Sequence, residues 1–229
     1  MTRTFILIPG AWHGPWCWHK LTPLLEASGA RVLAPELPSN GATLDGWARG
    51  IAAVAAQNSG ATLVGHSRGG AVISRVAELA PGTIGRLVYL SAYLLPAGDS
   101  VAAEARRDTE SLIAPNMIPA GPGVSCLLRE DTWREAFYGE CSDADYHWAL
   151  RQLAPEPLKP LATPLRVTAE KFGRVPRAYI ETLRDRAVTI AAQRRMHAAL
   201  PCAPVHTLDG DHSPFLSQPE ALARILISI

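Results

Sequence analysis

Ala61-Thr-Leu-Val-Gly-His-Ser-Arg-Gly-Gly70 joins a β-type apolar run to a helical pattern through the turn Gly-His-Ser-Arg-Gly. A serine hydroxyl is a weak nucleophile, so its chemistry requires a sharp strand-to-helix turn that exposes it to a base. Gly65 and Gly69 flank Ser67, where a side chain would crowd the turn against its neighbours. The helix that follows aims its first N–H groups toward negative charge formed at Ser67. The stretch therefore predicts a nucleophile elbow with Ser67 as nucleophile.

A histidine base is expected late in the chain, because a G-x-S-x-G motif by itself also occurs by chance in loops. The elbow requires the chain order serine, acid, histidine. His212 lies in Asp209-Gly210-Asp211-His212-Ser213, after the last strand-like run and before the closing helical pattern. A loop in that position lies at the carboxyl edge of the sheet, where ligands of open α/β folds bind. We therefore predict that His212 is the base.

The acid that orients this base should follow the preceding strand, Arg177 to Thr182. Asp185 lies just past its end and can accept the Nδ1 hydrogen of His212. Glu181 is a rival, because it lies within or at the end of the same strand. Asp185 also stands between two arginines, so a solvated ion pair is an alternative interpretation. The chain order of the three groups favours Asp185.

The oxyanion hole needs two main-chain donors. One is the N–H of Arg68, directly after the nucleophile, and the other should come from the loop after the first strand. That loop is Pro9-Gly10-Ala11-Trp12-His13-Gly14, in which Gly10 permits a tight turn and Ala11 is the expected donor. A phosphate-binding loop is disfavoured, because neither G-x-G-x-x-G nor a Walker lysine is present.

Short β-branched runs alternate with helical patterns along the chain, which is typical of a mostly parallel, doubly wound sheet. Strands are predicted at Phe5 to Ile8, Arg31 to Ala34, Thr62 to Gly65, Arg86 to Ser91, Arg177 to Thr182 and Pro204 to Leu208. Helices are predicted at about Trp16 to Ser28, Leu44 to Asn58, Gly69 to Leu79, Ile190 to Leu200 and Pro219 to Ile227. The sequence thus predicts an α/β core, residues 1–92 and 166–229, with about six strands. Residues 93–165 lack strand-like runs and are predicted to form a small helical cap, with helices in Asp131 to Phe137 and Asp143 to Leu153.

Composition narrows the classes of partner. The 229 residues are 48% hydrophobic and 19% charged, enough to bury one sizeable core, and the net charge of +1 gives no field for nucleic acid or an anionic membrane. The apolar run at the N-terminus is too short for a signal peptide or a membrane span. Four scattered cysteines indicate neither a disulfide framework nor a zinc site. We expect a cytoplasmic protein that needs no cofactor or metal ion, and a homodimer is left open.

Several of these motifs together resemble one family. Phe5-Ile-Leu-Ile-Pro-Gly-Ala-Trp-His-Gly-Pro-Trp-Cys-Trp18, Leu24-Leu-Glu26, the elbow, Asp185 and Gly210-Asp-His212 resemble the plant methylesterase and hydroxynitrile lyase group of α/β-hydrolases and its bacterial esterase relatives. The resemblance covers the first strand through the elbow and resumes at Arg177. It implies the α/β-hydrolase fold, with the cap matching only in size and position.

Two positions bear on the reaction that the resemblance implies. In the plant lyases a threonine that binds cyanohydrin stands at the position of Gly10, and a lysine that handles cyanide stands at that of Ser213. This chain has neither, so the resemblance implies the esterase branch. The esterases of the group commonly have His-Gly where this chain has Pro9-Gly10, although bacterial relatives tolerate proline there.

The expected function is hydrolysis of a carboxylic ester of a small hydrophobic or aromatic substrate through an acyl-enzyme. Aromatic side chains of the first loop, the cap and the base loop are expected in the substrate pocket, together with Gly10. They are Trp12, Trp16, Trp133, Tyr138, Trp148 and Phe215, with Met117 and Phe137 as further candidates. A hydroxynitrile lyase-like or biosynthetic C–C or ring chemistry is the alternative, since fold does not fix function. A ligand-binding receptor is disfavoured by the complete set of Ser67, Asp185 and His212.

Overall fold

The computed structural model describes residues 3–121 and 124–229 and contains two sheets. The strands are β1 Thr4–Ile8, β2 Arg31–Leu33, β3 Ala61–His66, β4 Ile84–Leu90, β5 Met117–Pro119, β6 Ser125–Leu128, β7 Glu156–Pro157, β8 Arg177–Thr182 and β9 Val205–Leu208. Six of them form a parallel sheet in the order β2-β1-β3-β4-β8-β9. The predicted α/β-hydrolase fold with a six-stranded parallel sheet is confirmed.

Helices connect and flank these strands. They are α1 Leu21–Ala27, α2 Leu44–Ala56, α3 Gly69–Leu79, α4 Val101–Arg107, α5 Ile113–Asn116, α6 Trp133–Phe137, α7 Asp143–Leu150, α8 Leu158–Ala162, α9 Ile190–Ala199, α10 Pro214–Ser217 and α11 Pro219–Ser228. Short 3₁₀ turns occur at Pro15–Trp18, Pro81–Thr83, Glu130–Thr132 and Phe172–Arg174. The first helix was predicted from Trp16, but the chain forms a 3₁₀ turn there and α1 begins at Leu21. No helix among the described residues is both long and apolar enough to cross a membrane.

The sheet is covered on both faces, which follows from the alternation of its side chains. Ile6 and Leu63 point into a core built with α2, α3 and α9. Their neighbours Leu7 and Val64 point into a second core built with α1 and α11. The doubly wound arrangement buries successive apolar residues of the central strands on opposite faces.

The insertion between β4 and β8 contains more than helices. Helices α6 and α7 lie within the two predicted helical segments. However, β5, β6 and β7 form a three-stranded antiparallel sheet, so the prediction of a purely helical cap is wrong in this respect. The three strands have two to four residues each and two of them end in a proline. Such runs are too short to show the alternation by which strands are recognised.

Strand register brings the sequence motifs to one edge of the sheet. Ile8 pairs with Gly65, so the loop after β1 lies beside the turn after β3. Thr182 pairs with Leu208, so the segments after β8 and β9 are also neighbours. The parallel sheet therefore gathers four loops at its carboxyl edge, the usual ligand-binding edge of such folds.

Candidate active site

Ser67 lies at the turn between β3 and α3, with a positive φ of 52°. This left-handed conformation is costly for a residue with a side chain and is maintained by close packing around it. A Cβ at Gly65 would lie 2.6 Å from the carbonyl oxygen of Gly69, and one at Gly69 would lie 2.7 Å from that of Ile8. Both glycines are thus required by space, as the sequence predicted.

His212 and Asp185 are joined by a hydrogen bond. The His212 Nδ1 lies 2.7 Å from Asp185 Oδ2, and both side chains are completely buried. Asp185 Oδ1 accepts two main-chain N–H groups, from Ala187 at 2.7 Å and Val188 at 2.8 Å. Asp185 Oδ2 also accepts from Thr182 Oγ1 at 3.1 Å. These donors fix the carboxylate beside the imidazole.

The rival Glu181 lies elsewhere in the network. Its carboxylate accepts from Arg194 at 2.9 Å, Thr207 at 3.0 Å and His197 at 3.1 Å. Hydrogen bonds from these groups lower the pKa of Glu181 against the raising effect of burial. Glu181 therefore belongs to an ion-pair cluster that does not include His212 among the described contacts.

The arginines beside Asp185 do not pair with it. Arg184 contacts Glu140 and Asp209, and Arg186 contacts Glu135. The alternative interpretation of Asp185 as a solvated ion-pair residue does not fit its buried hydrogen bond to His212.

The elbow is connected to the loop that carries His212 through His66. His66 Nε2 lies 2.8 Å from the main-chain oxygen of His212, and the two imidazole rings are 4.4 Å apart. The His212 Nε2 atom is buried and has no hydrogen-bond partner among the described residues. The structure thus brings Asp185 and His212 into direct contact and places the loops of Ser67 and His212 side by side. It contains no hydrogen bond between Ser67 and His212 themselves.

The expected oxyanion donors, Ala11 and Arg68, both line the same cavity as Ser67. Neither main-chain N–H has a hydrogen-bond partner among residues 3–121 and 124–229. Sequence reasoning missed what the Arg68 side chain does: its Nε lies 3.0 Å from Glu156 Oε1 in a buried ion pair. Arg68 and Glu156 are 88 positions apart in the sequence, and no sequence motif predicts their contact.

A second buried acid, Asp211, was also missed. Its Oδ2 accepts from the main-chain N–H of Glu140 at 2.9 Å and contacts the sulfur of Cys141 at 3.6 Å. Its Oδ1 accepts from Ser213 N at 3.1 Å and Ser217 Oγ at 2.8 Å. Burial raises the pKa of the Asp211 carboxyl. The loop that carries His212 is therefore attached to the insertion.

The cavity in front of Ser67 has a volume of about 410 Å³, a size typical of sites for small molecules. Its wall is mainly apolar. It consists of Ala11, Trp12, Ser67, Arg68, Tyr93, Val101, Ala102, Ala105, Arg106, Ile113, Ala114, Met117, Phe137, Leu158, Leu161, Ala162, Ala187 and Val188. The insertion supplies most of these residues, including Met117 and Phe137.

The wall of this cavity differs from the expected pocket. Trp12 lines it, but Gly10, Trp16, Trp133, Tyr138, Trp148 and Phe215 do not. These aromatics stack on neighbouring rings, as in the edge-to-face pair of Trp16 and Trp148 at 5.4 Å and the contact of Trp133 with Phe137 at 5.6 Å. Tyr138 bonds His13 Nε2 at 2.7 Å. Trp133 and Tyr138 contact the wall residue Phe137 and therefore support the wall from behind.

Two further histidines near the site are buried and uncharged. Burial lowers the pKa of His13 to about 3, against a hydrogen bond to the Ala11 carbonyl that favours the charged form. Burial also lowers the pKa of His66 well below its usual value. Both rings therefore act as neutral hydrogen-bonding groups around neutral pH.

Acid should destabilise the protein through these histidines. In the unfolded chain His13 titrates near its ordinary value of 6.5, whereas the folded chain resists protonation down to about 3. The unfolded state then binds more protons than the folded state below about pH 6.5. The free energy of unfolding therefore has its maximal contribution from His13 above that pH and falls as the pH drops. The slope approaches about 1.4 kcal/mol per pH unit for each such histidine. Urea unfolding at several pH values between 8 and 4 measures it.

His13→Gln should make this dependence shallower, and His147→Gln serves as the control because that histidine is exposed. Equal pH slopes for the two variants and the unmodified protein would contradict the assignment.

No group of three or more His, Cys, Asp or Glu side chains is arranged to hold a metal ion within the part of the chain that the structure describes. The four cysteines, Cys17, Cys126, Cys141 and Cys202, are free.

Known proteins resemble both the sequence and the structure. The model of the alpha/beta hydrolase family matches residues 5–225. A pyrethroid hydrolase of Sphingobium wenxiniae is 33% identical, over 99% of this chain and 87% of its own length. Putative methylesterase 11, chloroplastic, of Arabidopsis thaliana is 30% identical over all of this chain, which spans 64% of the length of that protein.

A solved structure, that of a pyrethroid hydrolase from Sphingobium faniae, superposes with a TM-score of 0.84 at 29% identity, covering all of this chain and 97% of the other. Its relatives include plant methylesterases and bacterial pyrethroid hydrolases. Together with the parallel sheet and the elbow at its carboxyl edge, these matches show that the chain belongs to the α/β-hydrolase family.

Proposed function

We propose that this protein is a serine esterase that hydrolyses a carboxylic ester of a small hydrophobic or aromatic substrate. The buried 2.7 Å hydrogen bond between His212 and Asp185 carries the proposal, since it leaves His212 Nε2 without a partner beside the elbow of Ser67. A free Nε2 on a histidine oriented by a carboxylate is what a general base for serine requires.

Acylation would begin when Ser67 Oγ bonds to the ester carbonyl carbon and passes its proton to His212 Nε2. The carbonyl electron pair moves to the oxygen, which the N–H groups of Ala11 and Arg68 stabilise. Asp185 stabilises the imidazolium that forms. The electron pair then returns, the bond to the alcohol oxygen breaks, and His212 gives its proton to the departing alkoxide.

Deacylation repeats these steps with water. His212 takes a proton from the water as its oxygen bonds to the acyl carbon. The intermediate collapses by releasing Ser67 Oγ, which recovers the proton, and the carboxylic acid leaves. No cofactor or metal ion is needed in either half of the cycle.

The cavity supports an apolar substrate. Apart from Ser67 and the two arginines, its wall is made of aliphatic and aromatic side chains. An acyl or alcohol group that fills it would leave water for an apolar surface, at about 25 cal/mol per Å² buried. The pyrethroid hydrolases among the relatives are consistent with an ester of this kind.

A panel of p-nitrophenyl and methyl esters with short, long and aromatic acyl groups tests the proposal. Turnover should be highest for apolar groups that fit the cavity. A serine-directed phosphonate should stop it by labelling one site per chain. A protein that binds such ligands without turning any of them over would instead be a receptor.

Cyanohydrin cleavage should be slow compared with ester hydrolysis. A Cβ at Gly10 would lie only 2.9 Å from Ser67 Cβ, and Ser213 is a buried residue without charge. No fixed cation therefore stands after His212 to stabilise departing cyanide, whereas the oxyanion hole can still serve an ester. Both activities should be assayed on one preparation at one pH, with mandelonitrile as the cyanohydrin.

Rapid cyanide release with negligible ester turnover would establish the lyase alternative. Survival of both activities in Ser67→Ala would reveal a contaminating enzyme.

A further inference from the structure

The side chain of Arg68 points away from solvent into the loop that follows β1. Its Nη2 donates to the carbonyl oxygen of Gly10 at 2.8 Å and lies 3.4 Å from Glu156 Oε2. Its guanidinium also stacks over the ring of Trp47 at 4.5 Å. Both charged side chains of the Arg68–Glu156 pair are 4% exposed. The pair is thus held in the interior, with Arg68 at the cavity wall and Glu156 outside it.

The hydrogen bond from Arg68 to the Gly10 carbonyl affects the second oxyanion donor, the N–H of Ala11. The carbonyl of Gly10 and the N–H of Ala11 belong to one peptide unit, which is trans. In a planar trans peptide these two groups point in opposite directions. Arg68 therefore determines where the Ala11 N–H points, and its charge polarises the peptide so that this N–H becomes a stronger donor.

Glu156 holds Trp12, the residue that follows Ala11. Its Oε2 accepts the main-chain N–H of Trp12 at 3.1 Å. Trp12 has a φ of 62°, a strained left-handed conformation that surrounding contacts must maintain. Further contacts come from the insertion, where Ala154 N donates to Trp12 O at 3.1 Å and Cys126 O accepts from Trp12 Nε1 at 3.0 Å. Ala11 is consequently held from both of its neighbours.

Stability alone is a poor reason for such a pair. Burying a guanidinium and a carboxylate carries a large desolvation penalty, and apolar residues of similar size often serve the fold equally well. The pair is neutral as a whole, so its action on an oxyanion is through local orientation and polarisation. The position directly after the nucleophile lets one residue supply a donor from its main chain and direct the other from its side chain.

We infer that Arg68 and Glu156 are positioning residues of the oxyanion hole, which hold and polarise the Gly10–Ala11 peptide; this inference rests on the proposed esterase function. The double variant Arg68→Met/Glu156→Gln is the central test. It leaves no unpaired charge in the interior and keeps the main-chain N–H at position 68. The glutamine side chain keeps an oxygen that can accept the main-chain N–H of Trp12. The double variant removes the charged donor to Gly10, together with the ion pair and the contact of the guanidinium with Trp47.

We expect this variant to fold and to lose about 10- to 100-fold in kcat with KM unchanged, less than the 10²- to 10³-fold that a missing oxyanion donor costs. A trifluoromethyl ketone, which forms an oxyanion on the serine, should bind more weakly by the same factor. A matched ether, which forms none, should bind as before. A purely structural pair would weaken both ligands together or affect neither.

Arg68→Lys tests the same point with both charges kept, because an ammonium lacks the planar fork that reaches Gly10 and Glu156 together. It should also lower kcat. Arg75→Met/Asp45→Asn is the matched control, since that pair joins α2 to α3 at 2.7 Å and lies outside the cavity wall. It should leave kcat unchanged.

An active parent enzyme with unchanged kcat in both Arg68 variants would overturn the inference and leave the esterase proposal standing. Loss of ether binding in parallel with the ketone would also overturn it. A parent protein without ester turnover or phosphonate labelling would overturn the proposed function itself, and the inference with it.

Discussion

Ser67→Ala is expected to lower ester turnover by about four to six orders of magnitude, because the members of a catalytic triad act as a unit. The protein should remain folded, since Ser67 Oγ makes no hydrogen bond among the described contacts and the change removes a single atom at the cavity wall. Turnover of the best ester, measured beside the unmodified protein, gives the ratio. Circular dichroism and the urea midpoint establish that the variant is folded.

Mass spectrometry locates the nucleophile independently. After phosphonate treatment the adduct should lie on the peptide that contains Ser67 and should be absent from the variant. Ser228→Ala, at an exposed position near the end of α11, is the control and should label normally. Labelling of another serine would exclude Ser67 as the nucleophile.

Asp185→Asn should reduce turnover by about 10⁴-fold, through the tautomer of His212. Ala187 and Val188 both donate to Oδ1, so the amide oxygen of an asparagine would occupy that side. Its NH₂ group would then face His212 Nδ1, which is 2.7 Å from Oδ2. The imidazole would accept at Nδ1 and carry its hydrogen on Nε2, where it could not take a proton from Ser67.

Glu181→Gln is the matched control, one position before the end of β8. Its partners Arg194, Thr207 and His197 lie in a different network, so turnover should change far less. The comparison requires kcat/KM of both variants at one pH, together with their urea midpoints. A larger loss in Glu181→Gln than in Asp185→Asn would mean that the acid is misassigned.

The core was predictable because its signals are local. The central strands β1, β3 and β4 are mainly apolar runs next to a turn, and the elbow is contained in five consecutive residues. Chain order then distinguished Asp185 from Glu181, a choice that fits the hydrogen bond to His212. Local patterns and a known order of groups were sufficient for these elements.

The remaining features depend on contacts between distant segments. No spacing rule joins Arg68 to Glu156, and the strand that carries Glu156 has only two residues. Nor does composition tell an aromatic that lines a cavity from one that packs behind it. Phe137 lines the wall, whereas the adjacent Tyr138 is buried against His13. The direction of a side chain in an insertion is decided by tertiary packing.

The contacts of Asp211 limit how this scaffold can acquire a new substrate range. Because Asp211 anchors residues 140–141 to the histidine loop, and Glu156 anchors a later part of the insertion to Trp12, exchanging the whole insertion with that of a relative would also disturb the reacting groups. Residues 101–107 are different: they supply Val101, Ala102 and Ala105 to the cavity wall and take no part in either anchor. Asp108, Ser111 and Leu112 lie outside this segment and bond residues 186–189, beside the main-chain donors of Asp185. Sequence diversification confined to that segment should therefore change which esters fit while the rate of the bond-breaking steps is preserved.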